Sequence, residues 1–208
     1  MAVPARYQLR YMRLSDVPIV TLIDQQSFPI PWSSYSYTYE LRESEYSHLV
    51  VVERLTSFQP PNRLQRWWQH ITRANPPSGE VLSYGGLWVF EDNGHISTIA
   101  SNPSQRGQGW GELALLAMLR RAANTLPVTH VTLEVRETNT TAQALYHKYG
   151  FIQRGLKEHY YHDNGEHALD MVMNIRDPQW RTFIERRYRE YQAKYPVIDS
   201  YTQGQKPK

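Results

Sequence analysis

Apolar positions along the chain alternate with period two in some segments and recur at helical spacing in others, and the two patterns take turns from Tyr7 onward. Tyr7 to Arg13 reads as a strand, and Ser15 or Asp16 stands where a cap would begin a helix carrying Ile19, Leu22 and Ile23 on one face. In FPIPWSSYSYTYEL two prolines hold the chain extended, after which Ser33 caps a short helix ending near Leu41. LVVVERL, Leu49 to Leu55, has the continuous apolar run of a buried strand. VLSYGGLWVF and HISTIAS flank the turn signal Glu91-Asp92-Asn93-Gly94 and form a hairpin.

A helix is expected from about Trp110 to Ala123, followed by VTHVTLEVR, a strand with Val131, Leu133 and Val135 on one face. Strand, helix, strand implies a parallel crossover. Thr140 and Gln143 have capping-box spacing at the start of a short helix with Ala142, Leu145 and Tyr149 on one face, and Gly150 stops it. FIQRGLKEHYY and ALDMVMNI add two strands around Asp163-Asn164-Gly165. Asp177 and Pro178 then open a last helix with Trp180, Phe183, Ile184, Tyr188 and Tyr191 down one side, and the tail TQGQKPK is expected to fray. The order predicts an α/β sandwich, a mixed sheet with helices on both faces.

One segment interrupts it. QPPNRLQRWWQHITRANPPSGE is fenced by Pro60-Pro61 and Pro76-Pro77, with Leu64, Trp67, Trp68 and Ile71 at helical spacing among Arg63, Arg66 and Arg73. It reads as an inserted amphipathic helix, packed on the domain or touching a membrane surface or ribosome through residues 63–73. The organisation expected is therefore a domain over 1–175, with an insertion at about 58–79, and a C-terminal helix and tail over 176–208.

The 208 residues are 40% hydrophobic and 21% charged, which suits a folded soluble domain. No apolar run approaches the roughly 18 residues of a membrane span, and the first ten residues have neither signal nor transit character, so the expected location is cytoplasmic. The absence of cysteine excludes disulfides, thiolate metal sites and a cysteine nucleophile. His159 and His162 fall on a strand and its turn, where an offset of three does not align two ligands, and no metal is expected. A formal charge of +3 and a pI near 9.0 favour anionic ligands without requiring nucleic acid, and no DNA partner is expected.

Gln105 to Glu112, QRGQGWGE, places three glycines at alternate positions before a helix. The third arrives one residue early for a dinucleotide fingerprint, and Gly111 is followed by Glu112 rather than the Lys-Ser/Thr of a nucleoside-triphosphate loop. What remains is a backbone able to aim several N–H groups at one anion at the positive end of a helix, with Arg106 beside it, or a glycine turn that admits close packing. Glu134 lies off the apolar face of its strand, either as a reactive carboxylate or as one solvated or paired with Arg136. Tyr146 stands one step off its helix's apolar stripe, facing a cleft or the core, and Asn139 is placed to cap that helix.

R-x-x-G-x-G after a strand ending Ile99-Ala100-Ser101 resembles the acetyl-CoA loop of the GCN5-related N-acetyltransferase (GNAT) superfamily. LEVRETNTTAQALYHKYGF, FPIPWS and GLKEHYYHDNGEHALDMVM are similar to its RimI-type branch, the ribosomal-protein alanine N-acetyltransferases. The resemblance spans roughly residues 7–175 and leaves out the Pro-fenced insertion and the last helix. It implies the GNAT fold, a mixed, mostly antiparallel sheet with helices on both faces. It also implies acetyl transfer from acetyl-CoA to the α-amine of a protein N-terminus, with the alanine of a small-subunit ribosomal protein as acceptor, by direct attack in a ternary complex. Carried over residue by residue, Ile99, Ala100 and Ser101 hold the pantetheine arm through their backbone. Arg106, Gly107, Gln108, Gly109, Trp110 and Gly111 hold the pyrophosphate, and Asn139 contacts the cofactor. Glu134 is the general base, Tyr146 the acid, and Trp32, Tyr160 and Tyr161 line the acceptor groove. Trp110 is bulkier than the usual aliphatic residue and Ser101 replaces a common valine, but neither removes a backbone donor. A lysine or small-amine acetyltransferase, a non-catalytic acyl-CoA-binding module and a ribosome- or RNA-binding module are the rival readings.

Overall fold

The computed structural model describes residues 6–55 and 79–206. The predicted insertion, apart from Gly79, lies outside them. Eight strands, β1 (Arg6–Tyr11), β2 (Ser47–Leu55), β3 (Gly79–Phe90), β4 (Asn93–Ser101), β5 (His130–Arg136), β6 (Ile152–Tyr161), β7 (Glu166–Asn174) and β8 (Val197–Asp199), form one sheet in the order β6-β7-β5-β4-β3-β2-β1-β8. The β4–β5 and β1–β8 pairs are parallel and the rest antiparallel, so the expected mixed, mostly antiparallel α/β architecture is what forms.

Among the described residues five α-helices flank it: α1 (Val17–Gln25), α2 (Ser34–Arg42), α3 (Trp110–Thr125), α4 (Thr140–Lys148) and α5 (Pro178–Lys194). The run Leu49 to Val52 is continuous because both faces of β2 are covered: Leu49 and Val51 pack with α1 and α2, Val50 and Val52 with α3. All four are buried, each worth about 1.5–3 kcal/mol on removal from water. α3 is apolar on nearly every side, Leu113 to Leu119 all being inaccessible, because it lies between the sheet and α5.

Several local expectations change. The buried face of α1 is Val17, Val20, Ile23 and Asp24, while Leu22 is 47% exposed. A buried carboxylate takes the place of an apolar residue there, which hydrophobic spacing cannot register. Asp16 occupies the N-cap position of α1 without capping it; its carboxylate instead binds the buried Arg10 and the Arg13 N–H. Ser33 caps α2 as expected, its Oγ accepting from the Ser36 N–H. No Thr140–Gln143 capping box forms, because Asn139 caps α4 through Oδ1 while Gln143 reaches back to the carbonyls of Arg136 and Glu137.

As far as Lys206 the tail does not fray. Tyr201 and Thr202 are buried, and the buried guanidinium of Arg121, lying between the rings of Tyr11 and Tyr201, donates to the carbonyls of Tyr201 and Gly204. A buried Arg needs acceptors, and the tail backbone supplies them.

Candidate active site

The parallel pair at the centre of the sheet is short. β4 and β5 pair only over Asn93–His95 and His130–Thr132, and beyond that point the edge of β4 from Ile96 to Ser101 has no strand partner among the described residues. A bulge at Ser97, between the pairs Gly86↔Thr98 and Leu87↔Ile96, bends β4 at the same place. The two strands therefore part toward their C-terminal ends, and along Ile99 to Ser101 β4 is paired with β3 on one side only, leaving its other edge to face the gap, as an extended arm with amide groups would require.

Above that gap the chain turns through Asn102 to Gly109 into α3. Gly107 and Gly109 have φ of +75° and +88°, and nothing lies within 4 Å of where a Cβ on Gly107 would stand. A Cβ on Gly111 would come 2.8 Å from the Ser101 Oγ. Bare, left-handed backbone at a helix N-terminus is the arrangement that gathers N–H groups on a phosphate, and the residues present fit a diphosphate. Only the backbone of Trp110 is available to such a group, since its indole is buried between Tyr7 and Tyr195, with ring centroids 4.8 and 4.7 Å away. Gln108 bridges Gln105 and the Trp110 indole, and Arg106 reaches the Ser27 Oγ at 2.9 Å on the connection between α1 and α2.

Glu134 projects from β5 on the face opposite Val131, Leu133 and Val135. Its partner is not Arg136, which turns to Asp163 and Glu166 beside the β6–β7 turn. Instead Oε1 receives the Lys157 ammonium at 2.5 Å and Oε2 lies 3.3 Å from His95 Nε2, with the carboxylate side chain only 12% exposed. Hydrogen bonding to Glu134 raises the Lys157 pKa, whereas burial lowers that of His95 in spite of the neighbouring carboxylate.

Aromatic side chains stand beside both partners of this carboxylate. The Trp88 ring lies 5.9 Å from the His95 ring and stacks on Trp32 at 5.7 Å; on the other side Lys157 lies 5.3 Å from the Tyr160 ring centre. Tyr161 stands at right angles to Tyr160, under the Arg136 guanidinium, and its pKa is pushed up to about 12, chiefly by burial. Trp32 is fixed by its N–H to Asp24 Oδ2 at 2.5 Å, and the buried Asp24 also takes the phenols of Tyr37 and Tyr84.

Tyr146 is 6% exposed, and its hydroxyl has no hydrogen-bond partner among the described residues. Burial, with the nearby Tyr161, raises its pKa, so the phenol keeps its proton. Asn139 sits at the head of α4 with its Oδ1 committed to the cap.

The predicted donor positions thus lie on β4 and the glycine loop, Asn139 at the head of α4 and Tyr146 within it, Glu134 on β5 beyond its last pair with β4, and the predicted acceptor positions are linked to Glu134 through Trp88, His95 and Lys157. Sequence reasoning missed those three and Asp24. Alternation from His95 along HISTIAS was the one available signal; for Lys157 and Asp24 there was none.

A family model described as Acetyltransferase (GNAT) family matches residues 20–151. A Bacillus subtilis protein named "Putative ribosomal protein bS18-alanine N-acetyltransferase" is 33% identical over 169 residues, 81% of this chain and 96% of its own. Among solved structures, the ribosomal-protein-S18-alanine N-acetyltransferase from Escherichia coli superposes with a TM-score of 0.63 at 22% identity, covering 81% of this chain and 94% of that one. The spermidine N-acetyltransferase from Vibrio cholerae, in complex with CoA and spermine, superposes at 0.62 and 15%, covering 81% and 95%. At these identities the two structures speak to the fold.

Proposed function

Because the chain belongs to the acetyltransferase (GNAT) family, we propose that it moves an acetyl group from acetyl-CoA to the α-amino group of a protein N-terminus, with the N-terminal alanine of a small-subunit ribosomal protein as acceptor. The observation that carries this reading is the Glu134 carboxylate, nearly enclosed, with aromatic rings beside both its partners and already holding an ammonium at 2.5 Å. On this reading an acceptor ammonium takes the place of the Lys157 nitrogen.

In this reading Gly107 to Gly111 and Arg106 bind the diphosphate, and the free edge of β4 at Ile99 to Ser101 pairs with the pantetheine amides, which aims the thioester into the gap between β4 and β5. Glu134, directly or through water, takes a proton from the acceptor ammonium. An α-amine, with a pKa of about 7.7–8.0, gives up that proton near neutrality more readily than a lysine at about 10.4. The nitrogen attacks the thioester carbon, the C–S bond breaks, the Tyr146 phenol donates to the departing sulfur, and the proton that the nitrogen sheds in becoming an amide restores the phenol through water. Trp32, Trp88, Tyr160 and Tyr161 exclude water around the first acceptor residue.

A polyamine acceptor, as in the spermidine enzyme that shares the fold, is the second reading. Against it, a polycation calls for further carboxylates near Glu134, and Asp170, its partner across the β5–β7 pair, is taken by Arg154. One assay decides: Ala-initiated peptides, internal-lysine peptides and spermidine compared by CoA thiol release, with mass spectrometry locating the acetyl group. Transfer confined to α-amines is the expected result, and lysine or spermidine as the preferred acceptor refutes the N-terminal reading.

A further inference from the structure

The aromatic stripe of α5 lies outside the matched family segment of 20–151, yet it reaches the glycine loop. The Tyr191 phenol donates to the Gly109 carbonyl at 3.0 Å, and a Cβ on Gly109 would stand 2.7 Å from that same hydroxyl. The Gly109 oxygen also accepts the Leu113 N–H at 3.0 Å, so it carries two hydrogen bonds. The other end of the same peptide unit is the Trp110 N–H, the first N–H of α3. Its orientation is set by the indole, held at 4.7 Å by Tyr195, the residue that follows α5, and at 4.8 Å by Tyr7. The departure from an aliphatic residue at Trp110 and the presence of α5 are therefore one arrangement.

α5 also disposes of an opposing charge. Glu112 lies in the first turn of α3, where a carboxylate would repel a bound phosphate, and Arg187 from α5 holds it at 2.8 Å together with Lys148 at 2.7 Å and the Tyr149 hydroxyl at 2.8 Å.

We propose that Tyr191 is a positioning residue for the donor's diphosphate, acting through the Gly109–Trp110 peptide. The inference rests on the acetyl-CoA reading above. Two bonds on the Gly109 oxygen polarise the amide and strengthen the Trp110 N–H as a donor. They also arrest a glycine at φ +88° that would otherwise have to be ordered at binding.

The test is Tyr191→Phe in the full chain. CoA, measured by calorimetry, is expected to bind about three- to ten-fold more weakly, the range for one lost hydrogen bond, with the KM for acetyl-CoA rising in parallel. kcat and the KM for an Ala-initiated peptide stay at wild-type values. S-Acetylpantetheine, which lacks the diphosphate, is turned over as by the wild type, a readout that general loosening of the fold would not spare. Tyr195→Leu loosens the same peptide from the indole side and gives the same pattern; it carries the test should Tyr191→Phe not fold. Wild-type CoA affinity in both variants, or equal losses with CoA and S-acetylpantetheine, overturns the proposal and leaves the donor reading standing. A wild-type protein that binds no CoA overturns both.

Discussion

The Lys157 ammonium sits 2.5 Å from Oε1 of Glu134, so the carboxylate proposed to meet the acceptor is already engaged by a cation of the protein's own. An arriving ammonium must displace it. Lys157→Ala is expected to lower the KM for the acceptor peptide by up to about five-fold, the worth of a half-exposed ion pair, while leaving CoA affinity unchanged. Steady-state kinetics with each substrate varied in turn checks this; a raised acceptor KM would show that Lys157 assists binding.

Glu134→Gln keeps the shape of the site and removes the proposed base. CoA affinity is expected to stay close to wild type while transfer to an Ala-initiated peptide falls ~10²-fold or more. Unchanged turnover would rule Glu134 out as the base.

Asp24 holds the Trp32 wall from beneath. Asp24→Ala leaves one N–H and two phenols without their acceptor and is expected to cost about 3 kcal/mol in urea unfolding. Asp24→Asn keeps an acceptor for Trp32 while the phenols reverse their hydroxyls, for a loss of about 1 kcal/mol. Both raise the acceptor KM more than the KM for acetyl-CoA, and a uniform effect on the two would contradict the assignment of Trp32 to the acceptor side.

His48 makes stability depend on pH. Its ring, bonded through Nδ1 to the Tyr11 hydroxyl at 2.9 Å, has its pKa pulled down to about 4, first by burial and then by the charges of Arg121 and Lys206. A histidine neutral when folded takes up a proton on unfolding below about pH 6.5, so stability is complete above that value and declines toward pH 4 by on the order of 3 kcal/mol. His48→Gln should flatten the decline between pH 7 and pH 5, measured by urea unfolding; an unaltered slope would assign it to other groups.

Much of the site was legible because its signals are local. Glycines and an arginine at a helix start announce a bare, left-handed turn within eight residues, and the apolar run Leu49 to Val52 announces a doubly covered strand. Trp110 shows where locality ends: its N–H belongs to the loop as its position says, but its ring belongs to a core completed by Tyr7 and Tyr195 from the two ends of the chain. The Glu134 partners failed to show for the same reason. Arg136 is its neighbour in sequence, while His95 and Lys157 arrive on other strands, and β6 carries a register irregularity between Lys157 and Tyr161 that no periodicity reports. The α1 face was misplaced because Asp24, buried for its hydrogen bonds, counts as polar in any hydrophobic pattern.

β8 lies parallel to β1, and the Ser200 hydroxyl closes on the Leu9 carbonyl across 191 residues of chain. Contacts between such distant segments form only after nearly everything between them has been made. During synthesis the outer side of β1 is therefore a bare strand edge, open to wrong pairings until residue 199 has emerged, and the protein's exposure to aggregation is greatest in that interval.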